Sequence, residues 1–317
     1  MKYFFAILIL LILQVVCGVI PVSAQDKKIY LVIRSEDIAK IDQYLKDPRI
    51  SGVTFYIGWQ KLQKEKFGYD FSSIDLVLAK VTKYNKTLNI GVLPGRWSPE
   101  WLTNTTRIQW HSKENYIDKI NRDVSSPVPW DINYLGNFAI LVNALGRKYN
   151  SVPNVGYVAI TGPSISNGLE TNLVLSLTDF QKIRYSKQKY IDAWKMSIDT
   201  FSKSFTNPKL AIALSNQIGP GRSSDEANQI SQYAWQKLDG RFVPMLLALS
   251  DEDWFNQKDY YVKLALQWTK KTKIGFQMMR IYGNMPQASD RLRKAIEKGF
   301  LLGADFIEIW GKDYPNL

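Results

Sequence analysis

The chain has 317 residues, with 41 Lys and Arg against 29 Asp and Glu, a formal net charge of +12. Its one cysteine, Cys17, lies in the N-terminal apolar run, which excludes disulfides, thiolate nucleophiles and cysteine-based metal sites from the rest of the chain. Its one histidine, His111, argues against a histidine-rich metal centre, and neither a metal nor a cofactor is expected.

Residues 1–24 read as an export signal. Met1-Lys2 gives a basic start, Phe4 to Val16 is almost unbroken apolar sequence, and Val22-Ser23-Ala24 offers small residues for cleavage before Gln25. The chain is therefore expected to be secreted or periplasmic. The alternative is an uncleaved membrane anchor, because the apolar segment reaches Val22 with few interruptions. No later stretch is long and apolar enough to span a membrane.

From residue 25 to 317, short apolar runs alternate with amphipathic ones. Strands are predicted at Ile29–Ile33, Gly52–Ile57, Leu88–Leu93, Val155–Thr161, Leu210–Ser215, Phe242–Leu249, Ile274–Met278 and Asp305–Trp310. Helices are predicted between them near Ile38–Leu45, Ile74–Tyr84, Tyr134–Tyr149, Phe180–Phe205, Asp225–Leu238, Tyr260–Lys270 and Ala288–Leu302. Their apolar residues recur at three- and four-residue spacing, as in Ile191, Trp194, Ile198 and Phe201. This order predicts one α/β domain, a single (β/α)8 TIM barrel whose final helix is absent, with a doubly wound sheet as runner-up. The connection from Pro94 to Pro129 is too long for an ordinary strand-to-helix link, and its tryptophans predict that it packs over the barrel mouth and helps form a cleft.

The positive charge is dispersed. Lys187, Lys189 and Asp192 share one helical stretch, as solvated helix faces do, and there is no basic block or zinc-finger spacing. No nucleic-acid partner is expected; contact with an anionic cell surface through the basic charge stays open. His111, in a polar loop beside Trp110, reads as a surface residue rather than a triad base.

In a (β/α)8 barrel the site lies where strands run into the following helices. Trp59 follows the second strand, Trp97, Trp101, Trp110 and Trp130 lie in the long connection, Trp254 follows the sixth strand and Trp310 ends the eighth. Trp194, Trp235 and Trp268 fall on helices and read as core. Indole faces stack on sugar rings, so Trp59, Trp97, Trp101, Trp130, Trp254 and Trp310 are candidates for carbohydrate binding; packing of the loop onto the barrel is the alternative. Strand alternation turns Ile307 and Ile309 outward and Phe306, Glu308 and Trp310 inward. The same rule brings Arg34, Tyr56, Thr161, Ser215 and Gln277 toward the barrel axis near its top. Arg34 suits a bidentate carboxylate pair.

The run Gly52-Val53-Thr54-Phe55-Tyr56-Ile57-Gly58-Trp59, followed by Tyr69-Asp70-Phe71-Ser72-Ser73-Ile74-Asp75, resembles glycoside hydrolases of the beta-galactosidase and cellulase-like barrel superfamily. Leu93-Pro94-Gly95, Ser98-Pro99-Glu100-Trp101-Leu102, Val128-Pro129-Trp130-Asp131, Ile160-Thr161-Gly162-Pro163 and Ile307-Glu308-Ile309-Trp310 with Asp313 continue the likeness over most of the chain. The resemblance implies a glutamate acid/base after the fourth strand and a glutamate nucleophile at the end of the seventh. This sequence departs at both places. Thr161-Gly162-Pro163 stands where an Asn-Glu pair is usual, with Glu170 further along the loop, and the seventh strand carries Gln277, whose carboxamide cannot attack an anomeric carbon as a carboxylate does.

Hydrolysis of a glycosidic bond needs a proton donor and a second carboxylate. Glu170 and Glu308 are the best-placed pair by topology. Glu170 is expected to be the proton donor, folded back over the axis by the Ser164–Leu169 loop. Glu308 is expected to activate water or stabilise positive charge, with Gln277 bonding a sugar hydroxyl. Asp131, Asp251, Glu252 and Asp253 are reserves, although an acidic run such as 251–253 also suits a helix N-terminus. Three functions remain open: a secreted glycoside hydrolase acting on a β-linked oligo- or polysaccharide, a non-catalytic carbohydrate-binding barrel, and an envelope protein bridging macromolecules through its basic surface.

Overall fold

The computed structural model describes residues 27–112, 122–221 and 223–317, so the expected signal over residues 1–24 lies outside the described residues. Among the described residues ten strands are formed: β1 (Lys28–Ile33), β2 (Gly52–Gly58), β3 (Thr87–Leu93), β4 (Arg107–Ser112), β5 (Arg122–Pro127), β6 (Val155–Ala159), β7 (Lys209–Ala213), β8 (Phe242–Leu249), β9 (Gly275–Met278) and β10 (Phe306–Trp310). Eight close into a parallel barrel in the order β1-β10-β9-β8-β7-β6-β3-β2, while β4 and β5 pair separately as an antiparallel hairpin. The parallel barrel is the expected one. The hairpin lies within the long Pro94–Pro129 connection, where the apolar pattern predicts no strand.

The barrel strands bury both faces, which is why they read as continuous apolar runs rather than as alternating ones. Their outward residues meet a ring of helices. The helix Ile132–Tyr149 begins where Asp131 accepts the Tyr134 N–H at 2.9 Å, and it buries Leu135, Phe138, Val142, Leu145 and Tyr149 on one stripe. The predicted Phe180–Phe205 helix is two helices, Leu177–Lys182 and Lys187–Ser204. Arg184 takes a left-handed φ of 51° between them, and Ser186 caps the second by accepting from Lys189 N at 3.2 Å. The helix expected from Ile38 to Leu45 starts as a 3-10 turn, Ser35–Lys40, and becomes α-helical only over Ile41–Leu45.

No α-helix follows β10 among the described residues. A 3-10 segment, Gly311–Asn316, closes the gap. The Tyr314 ring lies 4.9 Å from that of Tyr44, and Arg49 donates to the Leu317 carbonyl at 2.8 Å, so the wall between the last and first strands is still covered. None of the described helices is long and apolar enough to cross a membrane.

The barrel interior is filled in layers. At the bottom, Phe306 meets the rings of Tyr30 and Tyr157 at 5.7 and 5.8 Å. Above them lies a polar layer, where the hydroxyls of Thr54 and Tyr157 donate to Glu308 and Asn89 donates to Thr54 at 3.2 Å. Tyr56 lies across the barrel above that layer. A Cβ at position 91 would come within 2.4 Å of its ring, so Gly91 is the residue that lets Tyr56 lie there.

At the mouth, the connections after β3 and β6 lock together. Arg96 N donates to Ser166 O at 3.1 Å, and Ser126 on the hairpin donates to Ile165 O at 2.6 Å. Gly168 adopts a φ of +72°, and a Cβ there would stand 2.5 Å from the Pro94 ring. Gly168→Ala is therefore expected to lower stability by about 1–3 kcal/mol, from backbone strain and from displacement of Pro94. Urea unfolding measures this, and a midpoint equal to that of the wild-type protein would show that the two loops are not interlocked.

Candidate active site

The segment after β6 does not leave the barrel at once. It turns through Gly162 to Gly168 and returns to pair alongside the chain that continues β7. Glu170 bridges Ala213, Thr171 N donates to Ala213 O at 2.8 Å, and Leu173 N donates to Gln217 O at 2.9 Å. Ser215 N in turn donates to Thr171 Oγ1 at 2.8 Å. This extra turn of rim raises one wall of an open cavity of about 650 Å³ at the C-terminal mouth of the barrel.

Among the described residues two carboxylates line the cavity, Glu170 and Asp259, together with the Arg34 guanidinium, the phenols Tyr56 and Tyr261, and several carboxamides and aliphatic side chains. Glu170 is half-buried. Asn172 donates to its Oε2 at 3.2 Å, and Ser164 holds that amide by donating to its oxygen at 3.1 Å. Burial pushes the Glu170 carboxyl up to about 7, against the opposing pull of the Tyr261 hydroxyl that faces it. Tyr261 is itself driven well above the usual phenol range, by burial first and by Glu170 second, so it remains a hydrogen-bond donor.

Glu308 is placed differently. It is 0 % exposed and is not part of the cavity wall. Two residues further along β10, Trp310 takes the top layer, while Tyr56 and Gln277, joined by a 2.8 Å hydrogen bond, form the floor. The structure therefore places Glu308 beneath the cavity and not at its mouth, where it was expected as the second carboxylate. Burial raises its carboxyl to about 7, opposed by the hydroxyls of Thr54, Tyr157 and Tyr56.

Of the six candidate tryptophans, Trp254 and Trp310 reach the cavity. Trp254 is 37 % exposed and is held by a 2.8 Å bond from its indole N–H to Glu252. Trp310 donates to Met278 O at 3.0 Å, and Arg34 lies 5.9 Å from its ring centroid. Trp59 is 0 % exposed, wedged against Trp101 and Phe138, and has no face left for a ligand. Trp97, Trp101 and Trp130 are partly buried against the core and do not line the cavity. Trp101 donates to Gln63 O at 3.0 Å, and Trp130 packs on Tyr185 at 6.0 Å. The long connection thus supports the loop carrying Glu170; it does not pave the cleft with indoles.

Two of the reserve carboxylates, Asp131 and Asp251, serve structure. Asp131 caps a helix and also accepts from Thr106 N at 2.8 Å, and Asp251 pairs with Arg291 at 2.7 Å. His111 is exposed on the hairpin, 2.8 Å from Asp123. Arg34, Tyr56, Ser215 and Gln277, turned inward by strand alternation, do line the cavity; Thr161 is fully buried and does not. The sequence pattern does not mark Asp259 as a site residue. Its signal there, an aspartate before a run with helical spacing, is also that of a helix cap, and it is one: its Oδ1 accepts from Tyr261 N at 2.8 Å and Val262 N at 3.2 Å. Among the described residues no group of three His, Cys, Asp or Glu is placed to hold a metal.

No family model matches this sequence, and no curated protein matches it. Solved structures do share its architecture. The catalytic domain of beta-amylase from Paenibacillus polymyxa superposes with a TM-score of 0.58 at 11% identity, over 93% of this chain and 94% of that one. Endo-glycoceramidase II from Rhodococcus sp. gives 0.51 at 12% identity, over 90% and 73%. Beta-galactosidase from the psychrophilic Marinomonas ef1 gives 0.52 at 11%, over 89% of this chain and 53% of that one. The chain has the (β/α)8 barrel fold that these glycoside hydrolases have.

The buried Glu308 makes stability depend on pH. Its carboxyl holds a proton more tightly in the folded chain, at about 7 against an ordinary 4.5. Its contribution is therefore complete below about 4.5 and is lost as pH rises through 7. Denaturant unfolding is expected to show stability falling over that window, with a flatter profile in Glu308→Gln. An unchanged slope in the variant would show that Glu308 does not titrate there.

Proposed function

We propose that this protein is a glycoside hydrolase acting on a β-linked oligo- or polysaccharide, with Glu170 as the proton donor. The observation that carries the reading is a half-buried carboxyl, raised to about 7, in the wall of a polar cavity at the barrel mouth. That is where (β/α)8 enzymes place their chemistry, and a donor to a leaving oxygen must hold its proton near neutral pH. The shared fold with three glycoside hydrolases supports the same reading.

The rest of the wall suits a saccharide. Trp254 offers an accessible indole face for a sugar ring, and Trp310 supplies a second apolar surface deeper in. Arg34, Tyr56 and Gln277 present the polar groups that fix hydroxyl positions. With residues 1–24 read as a signal, the enzyme acts in the periplasm or outside the cell, where such polymers are met. The second reading, a barrel that binds carbohydrate without cleaving it, is favoured by one observation: a carboxamide, Gln277, stands at the end of the seventh barrel strand.

The test is hydrolysis of β-linked oligosaccharides and of 2,4-dinitrophenyl β-glycosides by purified protein. Glu170→Gln is expected to slow cleavage of the oligosaccharides roughly 10²–10⁴-fold. It is expected to spare the dinitrophenyl substrates, whose leaving group departs without a proton. Equal activity of wild type and Glu170→Gln on the oligosaccharides would remove Glu170 as donor, and sugar binding with no hydrolysis by the wild type would establish the second reading. Trp254→Ala is expected to weaken oligosaccharide binding by about 1 kcal/mol, read by calorimetry, and unaltered affinity would take Trp254 out of the site.

A further inference from the structure

Glu170 supplies half of what a glycosidic hydrolysis consumes. The attacking oxygen still has to reach the anomeric carbon, and a carboxylate must either form that bond or relieve water of a proton. Gln277 cannot do either, and Glu308 is sealed beneath the floor. Among the described residues the other carboxylate on the cavity wall is Asp259. Its Oδ1 is committed to the cap of the helix Tyr260–Leu266, while its Oδ2 makes no hydrogen bond within the protein among the described residues. Tyr261 ties the two wall carboxylates into one unit: its N–H rests on Asp259 and its hydroxyl faces Glu170. The two carboxylates thus meet Tyr261 at opposite ends, its backbone N–H and its hydroxyl; an inverting pair stands roughly 6.5–9.5 Å apart, leaving room for water, against roughly 5–5.5 Å in a retaining one.

We propose that Asp259 is the catalytic base, and that the enzyme inverts the anomeric carbon by direct attack of water. The inference rests on the reading of this cavity as a glycosidase site. In the step, the water oxygen bonds to the anomeric carbon as the bond from that carbon to the leaving oxygen breaks. The proton released by water passes to Asp259 Oδ2, and the proton on Glu170 passes to the departing oxygen. Water is the sole co-reactant, and no covalent sugar–enzyme bond forms, in keeping with the carboxamide of Gln277.

Asparagine caps a helix as well as aspartate does, so Asp259→Asn keeps the helix start and Tyr261 in place while removing the base. Its hydrolysis is expected to fall roughly 10²–10⁴-fold on the oligosaccharides and on the 2,4-dinitrophenyl glycosides alike, unlike that of Glu170→Gln. Sodium azide, which needs no base, is expected to restore turnover of the dinitrophenyl substrates and to yield a glycosyl azide of inverted configuration. Proton NMR of the wild-type reaction is expected to show the inverted anomer formed first. A merely structural Asp259 would leave Asp259→Asn near wild type and lower only Asp259→Ala. That result, or a retained first product, overturns this inference and leaves the glycosidase reading standing. Absence of hydrolysis by the wild type on every substrate overturns both.

Discussion

The site depends on the partial withdrawal of one carboxyl from water. Glu170 belongs to a residue type that is ordinarily ionised at neutral pH, and what alters it is position. The chain after β6 folds back through Gly162 and Gly168, then runs beside the continuation of β7, so that Glu170 stands in a wall built of backbone hydrogen bonds and not at the tip of a solvated loop. Burial there favours the neutral acid, while Asn172 and the Tyr261 phenol orient it with hydrogen bonds. The Pro94–Pro129 connection holds this arrangement from outside, with Arg96 and Ser126 bound to carbonyls of the Glu170 loop. A carboxyl fixed by two layers of support keeps its geometry as well as its proton.

Beneath the cavity, the polar layer around Glu308 does a different job. Asn89, Thr54, Tyr157 and Glu308 come from four separate strands of the barrel, and their hydrogen bonds join those strands at mid-height. Buried polar networks of this kind hold one packing arrangement in preference to others, because a shifted strand leaves its partners unsatisfied. Above it, a 2.8 Å hydrogen bond joins Tyr56 to Gln277 at the cavity floor.

Much of this was legible in the sequence because it depends on local pattern. Apolar runs separated by amphipathic ones gave the eight barrel strands, and two-residue alternation turned Arg34, Tyr56, Ser215 and Gln277 inward, where they line the cavity. Alternation reports the face of a residue and not its height. Glu308 and Trp310 share a face, but one layer of barrel separates a sealed network from the wall of the site. The tryptophans of the long connection mislead for a related reason: a connection fixes which rim a residue starts from, not whether its ring turns toward the axis or, like Trp59, into the core. Asp259 was hidden by its second role, since a cap and a cavity carboxylate look alike in one dimension.

The most direct measurement is a carbon NMR titration of the glutamate side-chain carboxyls, with Glu170→Gln and Glu308→Gln assigning the two groups. The account predicts that Glu170 titrates near 7 and not near 4.5. It also predicts that a saturating β-linked oligosaccharide moves the Glu170 resonance while leaving that of Glu308 in place. An ordinary titration of Glu170 near 4.5, or a Glu170 signal indifferent to bound sugar, would contradict it.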